Sequence, residues 1–178
     1  MNRTADVVIV GAGVIGSATA FELAKRGYKT LNIDKLPASG YGSTSNSCAI
    51  VRAHYSTWDG VAMAYEGFFY WDDWNKYLEV EDERGMAKYM KTGSIMFMLK
   101  GADHSKKSLN LFKEIGVEHE IWDLETLKKK MPIYSHDSYN GTSRPDEDDS
   151  FFDKSGDQIE GAVWTLSLIH ISEPTRHA

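Results

Sequence analysis

The period of the apolar positions changes several times along the chain, and each change marks an element. Val7-Val8-Ile9-Val10 is an unbroken β-branched run, the pattern of a strand buried on both faces as in a parallel sheet. It leads directly into Gly11-Ala12-Gly13-Val14-Ile15-Gly16. A helical period follows, with Ile15, Ala18, Leu23 and Ala24 able to face a sheet. Gly27 supplies a helix C-terminus, and Thr30-Leu31-Asn32-Ile33 is a second strand ending at Asp34. From Asp59 to Leu78, the residues Val61, Ala64, Phe68, Trp71, Trp74 and Leu78 fall at helical spacing. This predicts one long helix whose aromatic stripe is core. Thr92 to Met98 reads as a strand entered from a glycine turn, Ser108 to Ile115 as a helix closed by Gly116, and Val117 to Trp122 as a strand. Asp123 is placed to N-cap a short helix through Lys130, with Pro132 just beyond.

The first three elements make a βαβ unit, and the residues in its turn have separate physical tasks. Gly11 permits a tight turn, Gly13 lets the backbone approach a pyrophosphate, and Gly16 lets helix and strand pack closely. Val14 and Ile15 open the helix, where free N–H groups and the positive dipole end favour phosphate. Asp34 stands 23 residues after Gly11, where a carboxylate receives the two hydroxyls of an adenosine ribose and repels a 2′-phosphate. NADP is therefore disfavoured. The turn alone does not separate FAD from NAD.

The wider pattern does more. Gly16-x-x-x-Ala20-x-x-Leu23-Ala24-x-x-Gly27 resembles the extended fingerprint of FAD-dependent oxidoreductases. After Asp34 and Lys35 the chain enters a loop containing Gly40, Gly42, Ser43, Thr44 and Ser45 instead of another helix. Such a loop suits a long dinucleotide that needs donors along an extended path. The run from Gly42 through Arg52 to Ser56 resembles the D-amino-acid-oxidase superfamily, in the branch of sarcosine oxidase and the dimethylglycine and sarcosine dehydrogenases. That resemblance implies FAD as cofactor, held by Gly11, Gly13, Val14, Ile15, Gly16, Asp34, Lys35, Gly42, Ser43, Thr44 and Ser45. It also implies a catalytic pair in which Arg52 clamps a substrate carboxylate and Tyr55 adds a hydroxyl. Two positions depart from the branch: Asn46 stands where some members carry the flavin on a His, and Ala49 stands where the sarcosine oxidases carry an Arg.

The implied architecture is α/β: a Rossmann-like FAD-binding βαβ unit in residues 1–80, then the start of an α/β (α+β) substrate domain in 81–165. The implied activity is oxidation of the C–N bond of an amino acid or N-methylated amino acid, of the sarcosine or dimethylglycine kind, by hydride transfer to flavin. A flavoenzyme of a non-amine such as glycerol phosphate or a hydroxy acid is the alternative. Residues 166–176 are what a transposase sequencing adapter encodes in one frame. The segment 166–178 is therefore expected to be adapter-derived and to pack on nothing with purpose, and the chain to be a truncated N-terminal fragment, inactive as it stands.

Composition changes this picture little. A net charge of −6 argues against nucleic acid as partner. One cysteine, Cys48, excludes an internal disulfide and fits a cytoplasmic location. No apolar run reaches membrane-spanning length. The acidic stretch Asp146 to Asp149 lacks partners at metal-ligand spacing and reads as a solvated loop, so no metal is expected. His54 reads as structural rather than as a base. The expected partner is a small amino-acid-like substrate, with the electron acceptor left open.

Overall fold

The computed structural model describes residues 4–83, 85–139, 144, 146, 147, 149–166 and 169–172. The expected acidic loop therefore falls partly outside the described residues, at Asp148, as do parts of the tail. The chain forms two compact units, residues 1–48 and 49–178.

In the first unit β1 (Val7–Val10) pairs in parallel with β2 (Thr30–Ile33), Val7 opposite Thr30 and Val10 opposite Ile33. They are joined through helix α1 (Val14–Lys25). The expected strand–helix–strand order stands, but two expectations about burial do not. β1 is not buried on both faces: Val8 is 53% and Val10 87% exposed, because one neighbouring strand and one helix cannot cover both. Nor do Ile15 and Ala18 face the sheet. Both are exposed, and the half-buried stripe runs through Gly16, Ala20 and Leu23. The cause is steric. A Cβ on Gly16 would lie 2.1 Å from the Gly11 carbonyl oxygen, so Gly16 is the point of closest approach and fixes which face of α1 turns inward.

The second unit begins with β3 (Ile50–Val51). The predicted helix over 59–78 is two helices, α2 (Trp58–Asp72) and α3 (Trp74–Leu78), broken at Asp73 (φ −125°, ψ 54°). Asp is a poor interior helix residue, and the break lets the Trp71 and Trp74 rings stack with centroids 4.2 Å apart. Thr57 caps α2, its hydroxyl accepting from the Gly60 N–H. Of the apolar stripe only Val61 is fully buried; the aromatics are half-buried.

Next come β4 (Lys88–Lys91), β5 (Ser94–Leu99), α4 (Asp103–Ile115), β6 (His119–Asp123), α5 (Leu124–Lys130), β7 (Asp137–Tyr139), β8 (Lys154–Thr165) and β9 (Ile169–Ser172). Strand β8 lies between β5 and β6, antiparallel to both, and β7 also pairs with it. Helix α4 ends at Gly116 in the left-handed region (φ 83°), and Asp123 caps α5 by accepting from the Thr126 N–H at 2.8 Å, both as the sequence predicts. The two faces of β8 serve different cores. Val163 packs with Ala53, Val61, Phe112 and Val117, while Ala162 and Ile159 pack with Trp122 and Leu127. A bulge between Met98 and Leu99 adds one residue to β8 and turns Ile159 to the same side as Ala162.

Strand β9 lies antiparallel between β3 and β4. Residues 169–172 of the segment expected to be adapter-derived are thus paired as a strand. Its alternating polar and apolar residues suit a strand, and backbone pairing requires nothing more specific of the sequence. Within the second unit, which begins at Ala49, α2 lies against α4.

Candidate functional site

The glycine turn is built from the end of β1, the start of α1 and the end of β2. Gly11 adopts φ 110°, which a side chain rarely tolerates, and its N–H donates to the Ile33 carbonyl at 2.7 Å. Asn32 Nδ2 donates to the carbonyls of Gly11 (3.3 Å) and Gly16 (3.1 Å), tying the turn to β2. Asn is unfavourable in a strand, and its place between Leu31 and Ile33 is the sequence signal for this brace.

A cleft of about 570 Å³ opens at this edge of the two strands. Gly11, Gly13, Val14, Ile15, Gly16, Asp34, Lys35, Gly42, Ser43 and Thr44 all line it, so ten of the eleven expected cofactor residues come together. Ser45 does not. Its hydroxyl donates to the Gly42 carbonyl at 3.0 Å and its N–H to the Gly40 carbonyl at 2.9 Å, so it braces the loop from within. Thr19, Leu36 and Ser47 also line the cleft and were not anticipated.

Asp34 has a second task. One carboxylate oxygen accepts from the Ala12 N–H at 2.7 Å and the other from the Leu36 N–H at 2.9 Å. Those bonds, Leu36 first and Ala12 second, hold its carboxyl below the usual carboxylate range. A carboxylate has about four acceptor positions, so both oxygens keep one for ribose hydroxyls. At the helix start, the Val14 N–H donates to Thr44 Oγ1 at 2.9 Å. The first residue of α1 with an intrahelical bond is Ser17, whose N–H reaches the Gly13 carbonyl, so the N–H groups of Ile15 and Gly16 have no intrahelical partner. A Cβ on Gly13 would stand 3.0 Å from Thr44 Oγ1. The narrow cradle, the N–H groups of Ile15 and Gly16 and the part-free carboxylate fit the pyrophosphate and ribose of a dinucleotide.

Arg52 and Tyr55 belong to the second unit. The guanidinium carbon of Arg52 lies 5.8 Å from the centroid of the Tyr55 ring, so the expected catalytic pair is adjacent. No ion pair joins Arg52 to a carboxylate among the described residues. Among the same residues no group of His, Cys, Asp and Glu is arranged for a metal ion, and no helix is long and apolar enough to cross a membrane.

Residues 6–170 match the family described as FAD dependent oxidoreductase. The chain belongs to that family. FAD is accordingly its cofactor. Among the relatives of this FAD-dependent chain, monomeric sarcosine oxidase from Bacillus sp. (strain B-0618) is 29% identical over 149 residues, covering 82% of this chain and 37% of that protein. Digeranylgeranylglycerophospholipid reductase from Sulfolobus acidocaldarius is 30% identical over 137 residues, covering 72% of this chain and 27% of that protein. The crystal structure of L-proline dehydrogenase from P. horikoshii superposes with a TM-score of 0.69 at 20% identity, over 98% of this chain and 39% of that one, which shows the shared fold. The chain thus spans little more than a third of the length of the sarcosine oxidase it matches.

Proposed function

We propose that the chain is the N-terminal part of an enzyme that oxidises the C–N bond of an amino acid or N-methylated amino acid of the sarcosine or dimethylglycine kind. FAD, when bound, supplies the acceptor for the substrate's hydride. Gly11, Gly13, Gly16 and the start of α1 hold the pyrophosphate, and Asp34 holds the ribose. Arg52 binds the substrate carboxylate with two parallel hydrogen bonds, and Tyr55 adds its hydroxyl. With the carboxylate fixed, the α-carbon is fixed with it, and orientation is most of what this reaction needs from the protein. The carrying observation is an exposed guanidinium beside the Tyr55 ring with no acidic partner among the described residues. In the same reading, residues 1–80 serve the cofactor, 81–165 begin the substrate domain, 166–178 derive from an adapter, and the protein works in the cytoplasm.

The test compares an amino acid with its decarboxylated amine in the full-length protein. Arg52→Lys should reduce kcat/KM for the amino acid by roughly a hundredfold, and Arg52→Ala by more, with smaller losses on the amine. Equal losses on both substrates would remove the carboxylate-clamp reading. A second reading, FAD-dependent chemistry on a non-amine substrate, is favoured by the likeness to the archaeal reductase. Turnover of glycerol phosphate or a hydroxy acid, without turnover of sarcosine, dimethylglycine or proline, would select it.

A further inference from the structure

Arg52 to Tyr55 follow β3 and belong to no helix or strand, yet this stretch is fastened at each residue after Arg52. Ala53, 1% exposed, is part of the core with Val61, Phe112 and Val163. His54 turns its ring inward. Its Nε2 lies 2.6 Å from Ser94 Oγ and 3.3 Å from Thr165 Oγ1, and the two hydroxyls are 3.0 Å apart, which closes a triangle. Ser94 and Thr165 are register partners that close one end of the β5–β8 ladder, so the imidazole is tied to the end of that strand pair. Phe112 supports the ring at 5.2 Å between centroids. The fully buried Ser108 donates its hydroxyl to the Tyr55 carbonyl at 3.4 Å. Tyr55 also fits closely against the first turn of α2, where a Cβ on Gly60 would stand 3.1 Å from its own Cβ.

We propose that His54 is a positioning residue: through Ser94 and Thr165 it fixes the segment bearing Arg52 and Tyr55 to the β5–β8 ladder, so that guanidinium and phenol form a preset receptor for a carboxylate. This rests on the reading of Arg52 as the carboxylate clamp. A purely apolar side chain could fill the same space but would leave ring rotation and sliding along the sheet unrestrained, whereas directed bonds to two hydroxyls fix both. Side chains on an irregular segment lose affinity and rate when their geometry is loose. The ring does this while uncharged. Its Nδ1 is buried with no partner among the described residues, and burial, with the Arg52 charge second, pushes its pKa down to about 4. A neutral imidazole does not compete with Arg52 for the carboxylate.

The experiment uses the full-length protein with His54→Phe, which keeps a ring against Phe112, with Ser94→Ala, and with Ser94→Thr, which retains a hydroxyl. The first two should lower kcat/KM for an amino acid roughly tenfold and weaken propionate binding by a similar factor. They should leave FAD affinity and activity on the decarboxylated amine within about twofold, and Ser94→Thr should recover most of the loss. If Arg52→Ala discriminates between the two substrates but His54→Phe and Ser94→Ala do not, the clamp stands and the positioning role falls. If Arg52→Ala does not discriminate, the clamp itself falls and takes the positioning role with it. Should the variants fail to fold, hydrogen exchange in the wild-type protein decides. Amides of His54 and Tyr55 protected like those of β5 support the role, and free exchange overturns it.

Discussion

The steric role assigned to Gly16 can be tested with a single methyl group. In Gly16→Ala the new carbon would lie 2.1 Å from the Gly11 carbonyl oxygen and 3.0 Å from its carbonyl carbon. An unstrained carbon–oxygen contact needs roughly 3.3 Å, so the start of α1 must retreat by about 1 Å. Both obstructing atoms are backbone, and no rotamer change relieves them. The retreat also pulls apart the two bonds from Asn32 to Gly11 and Gly16. Overpacking costs about 1–3 kcal/mol and each lost bond about 1 kcal/mol, which gives a penalty of roughly 3–5 kcal/mol. Gly27→Ala is the control. Gly27 has φ +88° and nothing within 4 Å of its would-be Cβ, so only the left-handed backbone is penalised, by about 1–2 kcal/mol. Urea unfolding of the full-length protein, followed by flavin fluorescence and by hydrogen exchange of the β1 and β2 amides, separates the two. Gly16→Ala should open the first unit and abolish FAD retention, while Gly27→Ala should shift the midpoint slightly. Equal and mild effects would refute the close-approach argument.

Other consequences follow from the same geometry. Asp34→Ala should weaken FAD binding roughly ten- to hundredfold, because it removes both a ribose acceptor and the brace to Ala12 and Leu36; unchanged affinity by fluorescence titration would count against it. His54 favours the neutral ring in the fold, since its pKa falls from 6.5 to about 4. Stability should therefore be fully present above pH 6.5 and decline as pH falls from 6.5 toward 4, by roughly 2–3 kcal/mol after solvent screening is discounted. His54→Phe should flatten that slope in denaturation midpoints measured across the range. Phe112, 0% exposed between α4 and the sheet, should cost about 3–5 kcal/mol on substitution by Ala, and a loss under 1 kcal/mol in chemical denaturation would place it outside the core.

The βαβ unit was legible in the sequence because its constraints are local. Three glycines at fixed spacing, the β-branched run before them and the acid at the end of β2 dictate a turn that few other conformations satisfy. The helix stops at Gly116 and starts at Asp123 for the same kind of reason, a backbone conformation or a cap decided within four residues. What the sequence left open was set by partners far along the chain. The inward face of α1 depended on one close contact with Gly11: the half-buried stripe keeps Leu23 but replaces Ile15, Ala18 and Ala24 with Gly16 and Ala20. Strand β8 was hidden because Asp157, Gln158, Glu160 and Gly161 interrupt its apolar pattern. It becomes the centre of the sheet only when β5, β6 and β7 arrive to pair with it. The anchoring of His54 lay wholly outside the reach of local pattern: Thr165 is 111 residues away, and nothing in a lone histidine before a helix shows which hydroxyls will meet it. Local sterics and caps act through neighbours that the sequence prints side by side. Burial and polar pairing depend on which strands cross, and only the tertiary structure brings those residues together.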